Sequence, residues 1–149
     1  MTIRESFTYE ELLALRQSEA YNSIRTALQD HRWQEVGQQT LGDLNIVHWM
    51  PPDAESTITL EYGPGYDVSI IYQTPDAVAY EALTDPIDLQ AFKRQSERES
   101  KAYTCQGYRA GEEMLILAQP RAGVDKPYTV ILTTLSNFDA LWFESDYLT

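Results

Sequence analysis

The chain has 149 residues, 43% hydrophobic and 11% aromatic, enough to build the core of one domain and too aromatic for a disordered chain. Eleven basic against twenty-three acidic side chains give a net charge of −12, which opposes direct contact with nucleic-acid phosphates or an anionic membrane. A single cysteine, Cys105, excludes an internal disulfide framework, and no stretch reads as a signal peptide or membrane span, so a cytoplasmic protein is expected.

Thr8 and Glu11 stand at capping-box spacing, each placed to satisfy a backbone donor of the other. Behind them Tyr9, Leu12, Leu13, Ala20, Ile24, Ala27 and Leu28 recur every three or four residues, which predicts one amphipathic helix running to about His31. Gly37 and Gly42 bracket a break. From Leu44 the period changes to two. LNIVHWM (44–50) predicts a strand stopped by Pro51-Pro52, since neither proline can donate to a ladder. TITLEY (57–62) and YDVSIIYQ (66–73) flank Gly63-Pro64-Gly65 and predict a hairpin.

Residues 76–101 read as helical in two parts. AVAYEAL is the first; the second, IDLQAFKRQSERESKA, starts with Asp85 as N-cap and Pro86 at the first helical position, and its polar run belongs on the surface. Three more strands are predicted at YTCQGY (103–108), EMLILA (113–118) and YTVILTTL (128–135). In the closing NFDALWFESDYLT, Phe138, Leu141, Trp142 and Tyr147 predict a helical turn or short strand that packs on the core, in preference to a docking tail. Short connections between strands predict an α+β fold over residues 1–149 as a single domain. Its largely antiparallel sheet would have about five to six strands, with an N-terminal helix and a central helix packed on it. A curled, barrel-like sheet is the alternative.

The sequence offers little for catalysis. A nucleophilic pair would need Cys105 with His31 or His48, and a lone strand cysteine is ordinarily a small core residue. Neither Ser69 nor Ser136 sits in a nucleophile elbow. His31 and Glu35 could share a helix face but supply only two ligands, and no clustered histidine, cysteine or calcium-loop motif occurs, so no metal and no cofactor is expected. His48 alternates with Leu44, Ile46 and Met50, the pattern of a half-buried, hydrogen-bonded histidine. Gly63-Pro64-Gly65 joins two strands and does not open a helix, so it is a turn and not a phosphate loop.

Charge is the one outlier. Residues 41–92 carry no lysine or arginine and nine acids, among them Asp53, Glu55, Glu61 and Asp67; residues 93–102 reverse the sign with Lys93, Arg94, Arg98 and Lys101. With a three-residue loop at 63–65, Glu61 would lie directly opposite Asp67, and like charges so placed cost roughly 0.2–1 kcal/mol per pair. A basic partner would relieve that cost. Solvation, or a basic 93–101 helix folding back, would relieve it as well. The expectation is therefore a small acidic non-catalytic protein that docks on a basic protein partner, in the manner of an immunity protein, antitoxin, phage-type inhibitor or DNA mimic. Asp53, Glu55, Glu61 and Asp67 supply charge, and Tyr66 and Trp49 the anchors. The alternative is a small-molecule binder or enzyme whose curled sheet encloses a cavity holding His48 or Cys105 beside a carboxylate.

Overall fold

The computed structural model describes residues 6–52 and 55–149. Eight strands form one antiparallel sheet: β1 (Gln34–Leu41), β2 (Leu44–Met50), β3 (Thr57–Gly63), β4 (Tyr66–Thr74), β5 (Lys93–Glu99), β6 (Tyr103–Ala110), β7 (Glu113–Pro120) and β8 (Tyr128–Thr134). Their order across the sheet is β1-β2-β3-β4-β8-β7-β6-β5. Two four-stranded meanders thus meet where β4 pairs with β8, in the register Ile70 with Leu132 and Tyr72 with Val130.

The pleat sends alternate residues to opposite faces, and each face has its own cover. Helices α1 (Tyr9–Ser18), α2 (Tyr21–Asp30) and α3 (Ala77–Thr84) pack on the first face, over Val47, Trp49, Ile58, Leu60, Ile70 and Leu132. The C-terminal segment covers part of the second: α4 (Leu135–Asp139), a π-type turn Ala140–Glu144 and a final 3₁₀ turn Asp146–Leu148. From it Phe138, Leu141, Trp142 and Leu148 pack against Tyr103, Cys105, Ile116 and Ile131. Gly107 lies under this segment; a Cβ there would stand 3.3 Å from the Phe138 ring.

Four sequence expectations are corrected. The sheet has eight strands where about five to six were expected, because both edge strands escape the period-two pattern: β1 is exposed at nearly every position, and β5 is the highly charged KRQSERE. The basic run at 93–101 is therefore largely an edge strand and not a helix. The single N-terminal helix is two. Helix α1 opens on the expected Thr8–Glu11 capping box but ends at Glu19, which takes a left-handed conformation with φ 53°. Tertiary bonds offset that strain: the Glu19 carboxylate accepts the Val68 amide at 3.1 and 3.2 Å and the Arg16 guanidinium at 2.8 Å. Arg16, itself buried, also reaches Glu113 on β7 at 2.6 Å, so this cluster pins α1 to the sheet. Finally, Asp85 closes α3 as its C-cap and opens no helix, while Asp76 is the N-cap.

Candidate functional site: an acidic cleft on the open half of the sheet

The β3–β4 hairpin turns in fewer residues than expected. Gly63 pairs with Tyr66, a bulge falls between Glu61 and Gly63, and Glu61 then lies opposite Ser69. Glu61 and Asp67 are consequently not opposed. The slip is by two residues, which preserves the face of every side chain, so both acids stay on the second face. Gly63 is fixed by crowding, since a Cβ there would run into the carbonyl oxygen of Asp43 in the neighbouring β1–β2 turn.

On that second face the C-terminal segment packs on β4 and on β6 to β8, and reaches β3 through the Tyr147–Glu61 bond. The uncovered ground is a cleft of about 580 Å³. Its apolar floor is Leu44 and Ile46 on β2, with Leu41 at its β1 border. His48 lies beside Ile46 and is held by Thr59, its Nδ1 standing 2.9 Å from the Thr59 hydroxyl. The wall is the C-terminal segment, from Asn137 to Tyr147.

Four acids line the cleft: Glu61 from β3, Asp67 from β4, and Glu144 and Asp146 from the wall. No lysine or arginine is among its described lining residues, and none of the four is ion-paired among the described residues. What holds the first two is neutral. Glu61 accepts the Tyr147 hydroxyl at 2.7 Å. Asp67 accepts the Thr134 hydroxyl at 2.7 Å, and its carbonyl accepts Asn137 Nδ2 at 2.9 Å. Ser69 and Thr133 share a further bond of 2.7 Å beneath them. These bonds stitch the start of α4 and the tail across the sheet without cancelling any charge. Burial first, then the Glu61 charge, pushes the Tyr147 phenol well above its usual range.

The expected partner-contacting residues separate. Glu61, Asp67 and Tyr66 come together at the cleft, Tyr66 with 46% of its surface exposed. Glu55 is exposed but outside the cleft lining, and Asp53 lies outside the described residues. Trp49 is 1% exposed on the opposite face and packs in the helix-covered core, so it presents no surface to a partner. Glu144 and Asp146 were missed because a mixed acidic and aromatic tail carries no period that fixes which way its acids point. A π-type turn, a backbone form concentrated at functional sites, delivers Glu144 to the cleft.

The basic run stands away from the β3 side of this ground, although its Arg98 reaches the C-terminal segment and donates to the Trp142 carbonyl. Strand β5 lies at the far edge of the sheet, five strand spacings from β3, or about 24 Å along it. That is about three times the screening length of about 8 Å at physiological salt. Cys105 is fully buried on β6, away from the cleft lining, and burial raises its thiol pKa, which disfavours the thiolate. Among the described residues, no three histidine, cysteine, aspartate or glutamate side chains converge as a metal site, and no helix is long and apolar enough to cross a membrane. No protein-family model, no curated protein and no solved structure matches the chain.

Proposed function

We propose that the protein is a non-catalytic binding protein whose acidic cleft receives a cationic segment of a basic protein partner, nucleases and nucleic-acid-binding proteins being the class such acidity suits. The observation that carries this reading is the clustering of Glu61, Asp67, Glu144 and Asp146 around an apolar floor with no lysine or arginine among the lining residues. Carboxylates set in a concave, partly desolvated site focus their field and hasten the arrival of a cation. Leu41, Ile46 and Tyr66 offer the methylene stems of lysine or arginine an apolar surface.

The test is calorimetric titration of octalysine at about 0.02 M and about 0.3 M salt, a range over which screening grows severalfold. Binding should weaken steeply with salt. It should also weaken at least about tenfold in a Glu144→Gln/Asp146→Asn protein, with Glu61→Gln adding to the loss. Glu10→Gln/Asp30→Asn/Glu81→Gln, which removes as many exposed charges from the helix-covered side, should change it little. Equal losses in both sets would mean that net charge alone is at work, and the cleft reading would fail.

One observation favours a second reading, a small organic cation in place of a protein segment. The cleft's volume falls within the range of about 300–1,000 Å³ typical of ligand pockets, and His48 stands on its floor near Glu61. Tighter binding of spermidine than of octalysine, with the same dependence on Glu61, would transfer the assignment to that ligand class.

A further inference from the structure

The two edges of the sheet are guarded very differently. Strand β5 carries five charged residues in seven, Lys93, Arg94, Glu97, Arg98 and Glu99, a pattern that resists pairing with another chain. Strand β1, QEVGQQTL, has one charge, no lysine and no proline, and it exposes Val36 and Leu41 by 56% and 60%. Each edge has a bulge, between Glu35 and Gly37 in β1 and between Arg94 and Ser96 in β5, so the bulges do not distinguish them. Beyond its bulge β1 runs regularly from Gly37 to Leu41 against His48 to Leu44, and no other strand pairs with it among the described residues.

The turn fixes which backbone groups are free. Leu41 and Leu44 close a two-residue loop whose first residue, Gly42, has φ 61°, the form in which the closing pair is hydrogen-bonded. Hydrogen-bonded and non-hydrogen-bonded pairs then alternate, which turns the N–H and C=O of Thr40 and Gln38 outward, away from β2. Gln39 and Leu41 border the cleft from this same strand.

From this arrangement, and resting on the reading of the cleft as a cation site, we infer that β1 is a docking strand: an extended lysine- or arginine-bearing segment of the partner adds to the sheet beside it. Alternate side chains of an added strand emerge on one face, so every second one stands on the cleft's side and can extend over Leu41 towards the cleft acids, Glu61 lying three strand spacings, about 14 Å, from the added backbone. A second copy of this chain is the weaker occupant, because two chains of −12 repel. The cleft selects for positive charge; the β1 edge selects for extended backbone.

The inference is tested with an eight-residue probe, Lys-Thr repeated four times, and with the same peptide N-methylated at alternate backbone nitrogens in each of the two phases. Strand addition requires that one of the two methylated peptides bind at least about tenfold more weakly than the parent, since it has lost the donors that face β1. Thr40→Pro and Gln38→Pro remove outward donors while sparing the β1–β2 ladder, and each should weaken the parent peptide similarly; Thr40→Ala should not. Circular dichroism confirms the fold of each variant, and the methylated peptides need no variant at all. Equal affinity of all three peptides overturns the docking strand. If Glu144→Gln/Asp146→Asn still abolishes binding in that case, the acidic cleft stands without it. Sensitivity to methylation with no effect of the carboxylate substitutions overturns the cleft instead, and absence of parent-peptide binding at low salt overturns both.

Discussion

The Tyr147 hydroxyl donates to Oε2 of Glu61 at 2.7 Å, joining the last turn of the chain to strand β3 across 86 residues of sequence. The bond crosses the cleft's own ground. It holds the C-terminal segment over the sheet and occupies one acceptor of Glu61 with a neutral donor, so the wall stays in place. Leu148, fully buried beside it, provides the apolar half of the same anchor. A hydrogen bond to a charged acceptor contributes about 1.5–3 kcal/mol when buried and less when water reaches it, as here where both partners are part-exposed. Tyr147→Phe should therefore cost about 1 kcal/mol in urea unfolding and leave the fold intact.

The raised tyrosine pKa values predict that the protein is alkali-labile. Burial, with Glu113 and Glu10 adding to it, pushes Tyr9 up to about 12, and burial chiefly does the same for Tyr80; Tyr147 is raised as well. An acid whose pKa is higher in the folded chain than in the unfolded one gives stability that is full below the unfolded value, about 10 for tyrosine. That stability is lost as pH rises through the folded values. Urea midpoints should hold up to about pH 10 and fall steadily from there towards pH 12, with a shallower fall in Tyr147→Phe. Midpoints that stayed level across that interval would show the phenols to be accessible to solvent.

Arg16 ties α1 to two strands, donating to the Glu113 and Glu19 carboxylates and to the Val68 carbonyl, the last at 3.3 Å. Removing one partner of a buried ionic cluster leaves the other uncompensated, at a cost of about 3–5 kcal/mol. Arg16→Ala should destabilise by about that much, and Arg16→Met combined with Glu113→Gln should recover most of it, since the second change removes the more buried of the two stranded carboxylates. Equal destabilisation by the single and double variants would make this a packing effect of the arginine stem.

The central strands were legible because burial writes a period into sequence. LNIVHWM was read at the limits β2 has, and the strands from 57, 66, 103, 113 and 128 begin where β3, β4, β6, β7 and β8 begin. The two omissions, β1 and β5, lie at the sheet's two edges, where neither face needs to be apolar and the pattern disappears. A run such as KRQSERE satisfies a solvated helix and a guarded edge strand equally well, and only its position in the sheet decides. The candidate site was legible by half. Glu61 and Asp67 keep the expected face because the hairpin slips by two residues, whereas Trp49 belongs to the alternate set that faces the helices. Glu19's left-handed turn depends on Val68, which no local reading of residues 16–20 could supply.

Two glycines in the β3–β4 hairpin should respond differently to alanine. Gly63 has no room, because its Cβ would meet the Asp43 carbonyl, a backbone atom that cannot swing aside. Gly65 has open space but φ 78°, so alanine there pays only for the left-handed backbone. Gly65→Ala should cost about 1 kcal/mol, and Gly63→Ala about 2–3 kcal/mol with loss of octalysine binding, since the β1–β2 turn must move. Comparable costs at both positions would mean that the turn yields easily.

Cys105 reports whether the C-terminal segment opens apart from the sheet. Its thiol is fully buried under Phe138 and Trp142, and burial raises its pKa, so a disulfide reagent should label it only after local or global opening. Gly107→Val places two methyl groups where even a Cβ would stand 3.3 Å from the Phe138 ring, which should lift the segment and speed labelling by about tenfold or more. The β2–β4 amides should keep their hydrogen-exchange protection in this variant, because Val47, Leu60 and Ile70 are held from the other face by the helices. Octalysine binding should weaken at the same time, since lifting the segment withdraws Glu144 and Asp146 from the cleft while Glu61 and Asp67 stay. Faster labelling matched by an equal loss of β2–β4 protection would make the tail and sheet one cooperative unit, and the cleft wall could then not move independently of its floor.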